Sequence, residues 1–183
     1  MTTPERDVPE ATEVAPLWVP ADVWPQLADL ATRLSTCGWH LATAESCTGG
    51  LLAACCTALP GSSDWFERGF VTYANAAKVA ELGVEEGLIA AYGAVSEPVA
   101  RAMAQGAAHR AQVQAAVAIT GIAGPSGGSA AKPVGTVWFG WAVDGQVQAE
   151  CQRFDGDRAA VRAAAVAHAL RGLLRRLPPP PPR

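Results

Sequence analysis

A run of small polar residues and glycines, TAESCTGG at 43–50, offers three side-chain nucleophiles in succession: Ser46, Cys47 and Thr48. An apolar segment precedes it and a helix-forming run comes after, so the sequence reads as strand, tight turn, helix start. Glycine permits positive φ and close approach of backbone to a ligand. A helix start leaves orphan N–H groups that can hold an anion or be capped by Ser46 or Thr48. A second hydroxyl pair, Ser62 and Ser63, comes after Pro60-Gly61 and reads either as a turn or as a hydroxyl at a pocket edge. Tyr73 closes a short strand, and Lys78 lies one turn into the next helix, with Asn75 as a reasonable cap. Lys78 and Lys132 are the two lysines among 14 basic residues, the rest being arginine. Burial lowers a lysine pKa and can supply a neutral amine, which arginine cannot do. The stretch 120–128, TGIAGPSGG, comes after another strand and could cradle a phosphate with its backbone N–H groups. It is neither a Walker A loop nor a dinucleotide fingerprint.

The elements that must position these groups alternate. Helices are expected over 22–37, 51–58, 75–82, 85–92, 96–112 and 157–177, several stopped by glycine or proline. Strands are expected over 39–44, 70–73 and 115–120. A hairpin over Asp144-Gly145 joins strands at 134–143 and 147–154. This pattern implies an α/β layered domain with a mixed sheet. Residues 1–20 read as a disordered proline-containing arm, with Trp18 able to pin its end. Residues 21–177 form the body, and 178–183 are a polyproline tail, a solvated end or a ligand for a partner domain.

Composition narrows the chemistry. The chain has 183 residues, half of them hydrophobic, which suits one domain with a full core. A net charge of −3 argues against non-specific nucleic-acid binding. The five cysteines form no C-x-x-C pair, and His40, His109 and His168 are far apart, so neither a zinc site nor a disulfide framework is indicated. With no secretory leader and no apolar run near 20 residues, the sequence reads as a reduced, cytoplasmic protein outside the membrane. No histidine falls in the four segments, His40 being placed in the first strand. A Ser/Lys site is therefore better supported than a Ser-His-Asp triad.

Several motifs in order carry a resemblance: TAESCTGG (43–50), PGSSDWFERGFVTYANAAK (60–78), GAVSEPVA (93–100), TGIAGPSGG (120–128), KPVGTVWF (132–139) and FDGDRAAVR (154–162). Over about residues 22–175 the chain resembles the CinA C-terminal domain family, the nicotinamide-nucleotide amidohydrolases, in its stand-alone form. That resemblance implies a three-layer α/β/α sandwich with a mixed, mostly parallel, anticodon-binding-domain-like sheet. It implies metal-independent, cofactor-free hydrolysis of the carboxamide of nicotinamide mononucleotide, and a homo-oligomer, a dimer or larger. Its site residues fall on Ser46, Ser63, Tyr73, Lys78 and Thr120. Ser46 is the preferred nucleophile and Ser63 its rival, with Lys78 as base and Tyr73 relaying or orienting the proton. Cys47 is demoted to packing. Substrate binding is expected from backbone donors at Thr48, Gly49 and Gly50, from Thr120, Gly121 and Gly124, and from Arg158 toward the phosphate. Glu45 either binds ribose hydroxyls or caps the turn. The alternative is a non-catalytic nucleotide-binding module associated with competence or DNA damage.

Overall fold

A computed structural model describes residue 16 and residues 19–179. The arm (apart from residues 16, 19 and 20), Trp18 and the end of the tail from 180 onward lie outside the described residues. The order is α1 (Trp24–Cys37), β1 (Leu41–Glu45), α2 (Leu51–Thr57), a 3-10 turn (Ser62–Asp64), β2 (Phe66–Val71), α3 (Asn75–Leu82), α4 (Glu86–Tyr92), α5 (Glu97–Ala111), β3 (Ala115–Gly121), β4 (Thr136–Val143), β5 (Gln146–Arg153) and α6 (Arg158–Leu174).

Local chemistry explains the boundaries. Leu27, Leu30 and Leu34 recur at helical spacing and are fully buried on α1, which ends at Gly38 in the left-handed region. Asp157 caps α6, its Oδ1 accepting from the Ala160 N–H at 2.8 Å. Asp144 and Gly145 both take positive φ in the two-residue hairpin turn.

The sheet order is β2-β1-β3-β4-β5. The β2–β1 and β1–β3 pairings are parallel, and β3–β4 and β4–β5 are antiparallel. Pairings thus divide evenly, although four of the five strands run in one direction. The two faces differ in bulk. Leu41, Val117, Ile119, Val137, Phe139 and Trp141 pack against α1, α2 and α6. Ala42, Ala44, Ala116, Ala118 and Ala142 face Val99, Met103, Ala104 and Ala107 of α5. At Gly140 a Cβ would collide with the Ala100 carbonyl of α5, so glycine sets that close approach. Helices on both faces give the three-layer α/β/α sandwich.

Most boundaries shift by one to three residues: β2 ends at Val71, so Tyr73 lies just beyond the strand it was expected to close, and α6 ends at Leu174 instead of 177. β2 begins at Phe66 instead of 70, because Glu67, Arg68 and Gly69 are exposed on an edge strand and leave no apolar alternation to read. His40 precedes β1 and is exposed instead of lying within the strand. From β1 the chain passes outward to β2, then crosses back by α3, α4 and α5 to β3 on the other side. Ligand sites in such sheets lie at the carboxyl ends of strands where the order switches, here β1 and β3.

Candidate active site

Ser46 is the first residue beyond β1. Its N–H donates to the Ile119 carbonyl of β3 at 2.9 Å, and its own carbonyl accepts from the Gly49 N–H at 3.0 Å. The chain then reverses through Gly49 and Gly50, at φ 60° and 93°. Side chains resist that conformation, so the two glycines let β1 turn directly into α2.

Glu45 is fully buried. Its Oε2 accepts from the N–H groups of Gly50 (3.1 Å) and Leu52 (3.0 Å), and its Oε1 from Ala53 (2.8 Å). A carboxylate of the chain itself therefore occupies the positive end of α2. Of the two roles expected of Glu45, these contacts are those of a helix cap, and the side chain is fully buried. They also correct the expectation that α2 offers free donors to an anion. Ser46 and Cys47 line the adjoining cavity, whereas Glu45, Thr48, Gly49 and Gly50 are not among its walls.

Lys78 comes from α3 and is 1% exposed. Its Nζ lies 3.1 Å from Ser46 Oγ, 2.9 Å from the Thr72 carbonyl and 3.3 Å from the Tyr73 carbonyl. Burial pushes its pKa below the ordinary lysine value of 10.5. The three neighbours define what the amine can do. Carbonyl oxygens only accept, so a neutral amine can give its two N–H bonds to Thr72 and Tyr73 and direct its lone pair at the Ser46 hydroxyl. Once protonated, the same nitrogen donates to all three oxygens.

Tyr73 is placed differently from expectation. Its carbonyl holds Lys78, but its hydroxyl accepts from Arg158 Nη2 at 2.7 Å, and Arg158 Nη1 donates to the Gly124 carbonyl at 3.0 Å. The Tyr73 hydroxyl thus engages Arg158, and the ring is 57% exposed at the cavity mouth. Thr120, at the end of β3, is nearly fully buried, and its hydroxyl donates to the Ala94 carbonyl at 2.9 Å. Thr120, Gly121, Gly124, Tyr73, Lys78 and Arg158 all line the cavity of about 300 Å³ that Ser46 faces.

Asn75 also lines this cavity. The sequence suggested it as a helix cap, but the cap position is Ala74, with no side-chain capping bond. Asn75 is instead the first residue of α3, exposed where it lines the cavity. A polar residue at a strand-to-helix junction was the available signal, and capping explained it too readily.

Ser63 is not brought to this cavity within the chain. It is exposed in the 3-10 turn before β2, whereas Ser46 comes just after the end of β1. Leu41 pairs with Phe66 and Glu45 with Val71, so the two serines lie beyond opposite ends of the paired segment, separated by roughly 17 Å of strand rise. Cys47 is buried, and that burial pushes its thiol up to about 11, which keeps it a neutral thiol near neutral pH. His168 packs against Phe139 of β4 and within 3.3 Å of Glu150 of β5. Among the described residues no three His, Cys, Asp or Glu side chains converge to hold a metal ion, and no helix is long and apolar enough to cross a membrane.

Comparison with known proteins gives a consistent result. The model of the CinA C-terminal domain matches residues 26–177. Nicotinamide-nucleotide amidohydrolase PncC of Enterobacter agglomerans is 54% identical over 148 residues, covering 80% of this chain and 90% of that protein. The protein of the same name from Escherichia coli K12 is 55% identical, over 74% of this chain and 83% of that one. Among solved structures, the competence/damage inducible protein CihA of Agrobacterium tumefaciens superposes with a TM-score of 0.83 at 44% identity, covering 86% of this chain and 96% of that one. The matched region takes in the whole sheet together with Ser46, Tyr73, Lys78, Thr120 and Arg158, and the chain belongs to the CinA C-terminal domain family.

Proposed function

We propose that this protein hydrolyses the carboxamide of nicotinamide mononucleotide to nicotinic acid mononucleotide and ammonia, with Ser46 as nucleophile and Lys78 as its base. The observation that carries the reading is the 3.1 Å approach of a buried lysine amine to the Ser46 hydroxyl at the mouth of a cavity. Relatives more than half identical, named for this amidohydrolase activity, support the substrate.

Ser46 Oγ attacks the carboxamide carbon while Lys78 takes the hydroxyl proton. The tetrahedral oxyanion is met by backbone N–H groups at the Cys47, Gly121, Ala123 and Gly124 walls, the Ile122 N–H being held by the Thr136 carbonyl. As it collapses, the Lys78 ammonium gives its proton to the departing nitrogen, and ammonia leaves an ester on Ser46. Water attacks that ester, again losing a proton to Lys78. The proton returns to Ser46 Oγ as the acid is released. Lys78 carries each transferred proton, so the scheme calls on no metal or cofactor.

Arg158 binds the 5′-phosphate, exchanging its bond to the Tyr73 hydroxyl for charge-assisted bonds to the ligand. Asn75 and the Gly124–Gly127 loop contact the ribose. Tyr73 flanks the pyridine ring with its exposed face and positions Lys78 through its carbonyl, a role distinct from proton relay. The same reading makes the protein a cytoplasmic homo-oligomer, whose mass light scattering measures directly. Ammonia release from nicotinamide mononucleotide in the presence of EDTA tests the activity. Tight binding of the nucleotide without turnover would favour instead the non-catalytic module suggested by competence-related relatives.

A further inference from the structure

The turn that carries Ser46 is built from small residues and two glycines, and three contacts restrain it. At its start, the Ser46 N–H bonds to Ile119. At its end, the Glu45 carboxylate holds the first turn of α2. Its middle is held by Arg162 of α6, whose Nη2 donates to the Thr48 carbonyl at 2.6 Å. That carbonyl also accepts the Leu51 N–H at 3.2 Å, so one oxygen joins the turn, α2 and α6. A Cβ built on Gly49 would lie 3.8 Å from Arg162 Nη2 and 3.9 Å from the Tyr73 ring, so the bend is within contact distance of both. Arg162 Nε is buried with no hydrogen-bond partner among the described residues. Retaining a cation there with a donor unmatched marks a position where a specific contact outweighs the desolvation it incurs.

We infer that Arg162 is a positioning residue for catalysis, fixing through the Thr48 carbonyl the direction in which Ser46 presents its hydroxyl to Lys78. Arg158 and Arg162 stand four residues apart on α6 and divide the work. Arg158 lines the cavity and meets substrate; Arg162 is not among the cavity residues and acts on the turn. Loss of the guanidinium lets the glycine-rich bend relax, and the Ser46 hydroxyl spends less time aligned with the amine. Displacements of about 1 Å cost up to about a hundredfold in rate. Because the substrate's own contacts are untouched, kcat falls and KM does not.

The inference rests on the Ser46–Lys78 reading, and the experiment separates the two. Steady-state ammonia release from nicotinamide mononucleotide is measured for wild type, Arg162→Lys, Arg162→Met and Arg162→Ala, the last with and without added methylguanidinium. The rate at which a fluorophosphonate probe labels Ser46 is measured on the same proteins. The expected result is a drop in kcat of about 10- to 100-fold for the Met and Ala variants. KM stays within about twofold, labelling slows in parallel, the Lys variant loses less, and methylguanidinium restores part of kcat. A wild type that labels but releases no ammonia defeats the amidohydrolase reading; the labelling series then judges Arg162 alone. Wild-type kcat and labelling in folded Arg162→Met, or a rise in KM at constant kcat, overturns the inference. If Met and Ala fail to fold, the Lys variant decides: full kcat at a lowered Tm assigns Arg162 a purely structural role and overturns it too.

Discussion

Two serine turns in this protein look alike in sequence and differ in every physical respect. Ser46 and Ser63 each stand beside small residues and glycine, at a boundary between strand and helix-like turn. Ser46 sits where β1 and β3 end together at the switch in strand order, within 3.1 Å of a buried amine. Ser63 sits at the opposite end, exposed, before an edge strand. The difference shows that a hydroxyl becomes a candidate nucleophile through its place in the sheet, since that place decides which base can reach it.

The contrast between the turns is most exposed to test at Lys78. Lys78→Met is expected to lower kcat/KM at least about a thousandfold, and Ser46→Ala to do the same. The double variant should be scarcely worse than either single one, because two members of one device do not add. Ammonia release on the three proteins checks both points. The same Lys78→Met change should raise Tm at pH 7. The folded state holds this amine with a lowered pKa, so the unfolded state binds protons more readily below 10.5 and the native form is penalised there. The gain should shrink as pH rises toward 10.5, which a pH series of thermal melts would show. A neutral base also predicts that kcat/KM falls on the acid side, through a pKa below 10.5, since protonation removes the lone pair.

Smaller effects sharpen the picture. Arg158→Ala should raise KM for the nucleotide about 10- to 100-fold, in line with charged hydrogen bonds worth about 1.5–3 kcal/mol, while nicotinamide riboside, lacking the phosphate, is turned over nearly unchanged. Smallest of all is Ser63→Ala, expected to remain within about twofold of wild type if each chain acts alone. A loss near that of Ser46→Ala, in folded protein, would show that another copy of the chain delivers Ser63 to the site and would erase the distinction between the two turns.

Much of the fold was legible because its signals are local. The helix ends at Gly38, Gly83 and Gly93, the hairpin at Asp144-Gly145 and the cap at Asp157 each depend on a few neighbouring residues. The start of β2 was not legible, since an exposed edge strand imposes no periodicity. At the site, residue types pointed to Ser46, Lys78, Tyr73 and Thr120, but their separations and orientations come from the order β2-β1-β3, which no local pattern encodes. For the same reason Ser63 could not be set apart from Ser46, Glu45 could not be assigned to α2, and Arg162, 114 residues from Thr48 in sequence, gave no sign of its contact. Asn75 was visible but explained too easily as a cap.

The most direct test of the Ser46–Lys78 account is acid quenching during turnover of nicotinamide mononucleotide, then peptide mass spectrometry. The account predicts an acyl adduct on the peptide containing Ser46, with the mass of the nicotinate ribotide less one water, absent from Ser46→Ala. An adduct on Ser63 or Cys47, or full turnover by Ser46→Ala, would contradict it.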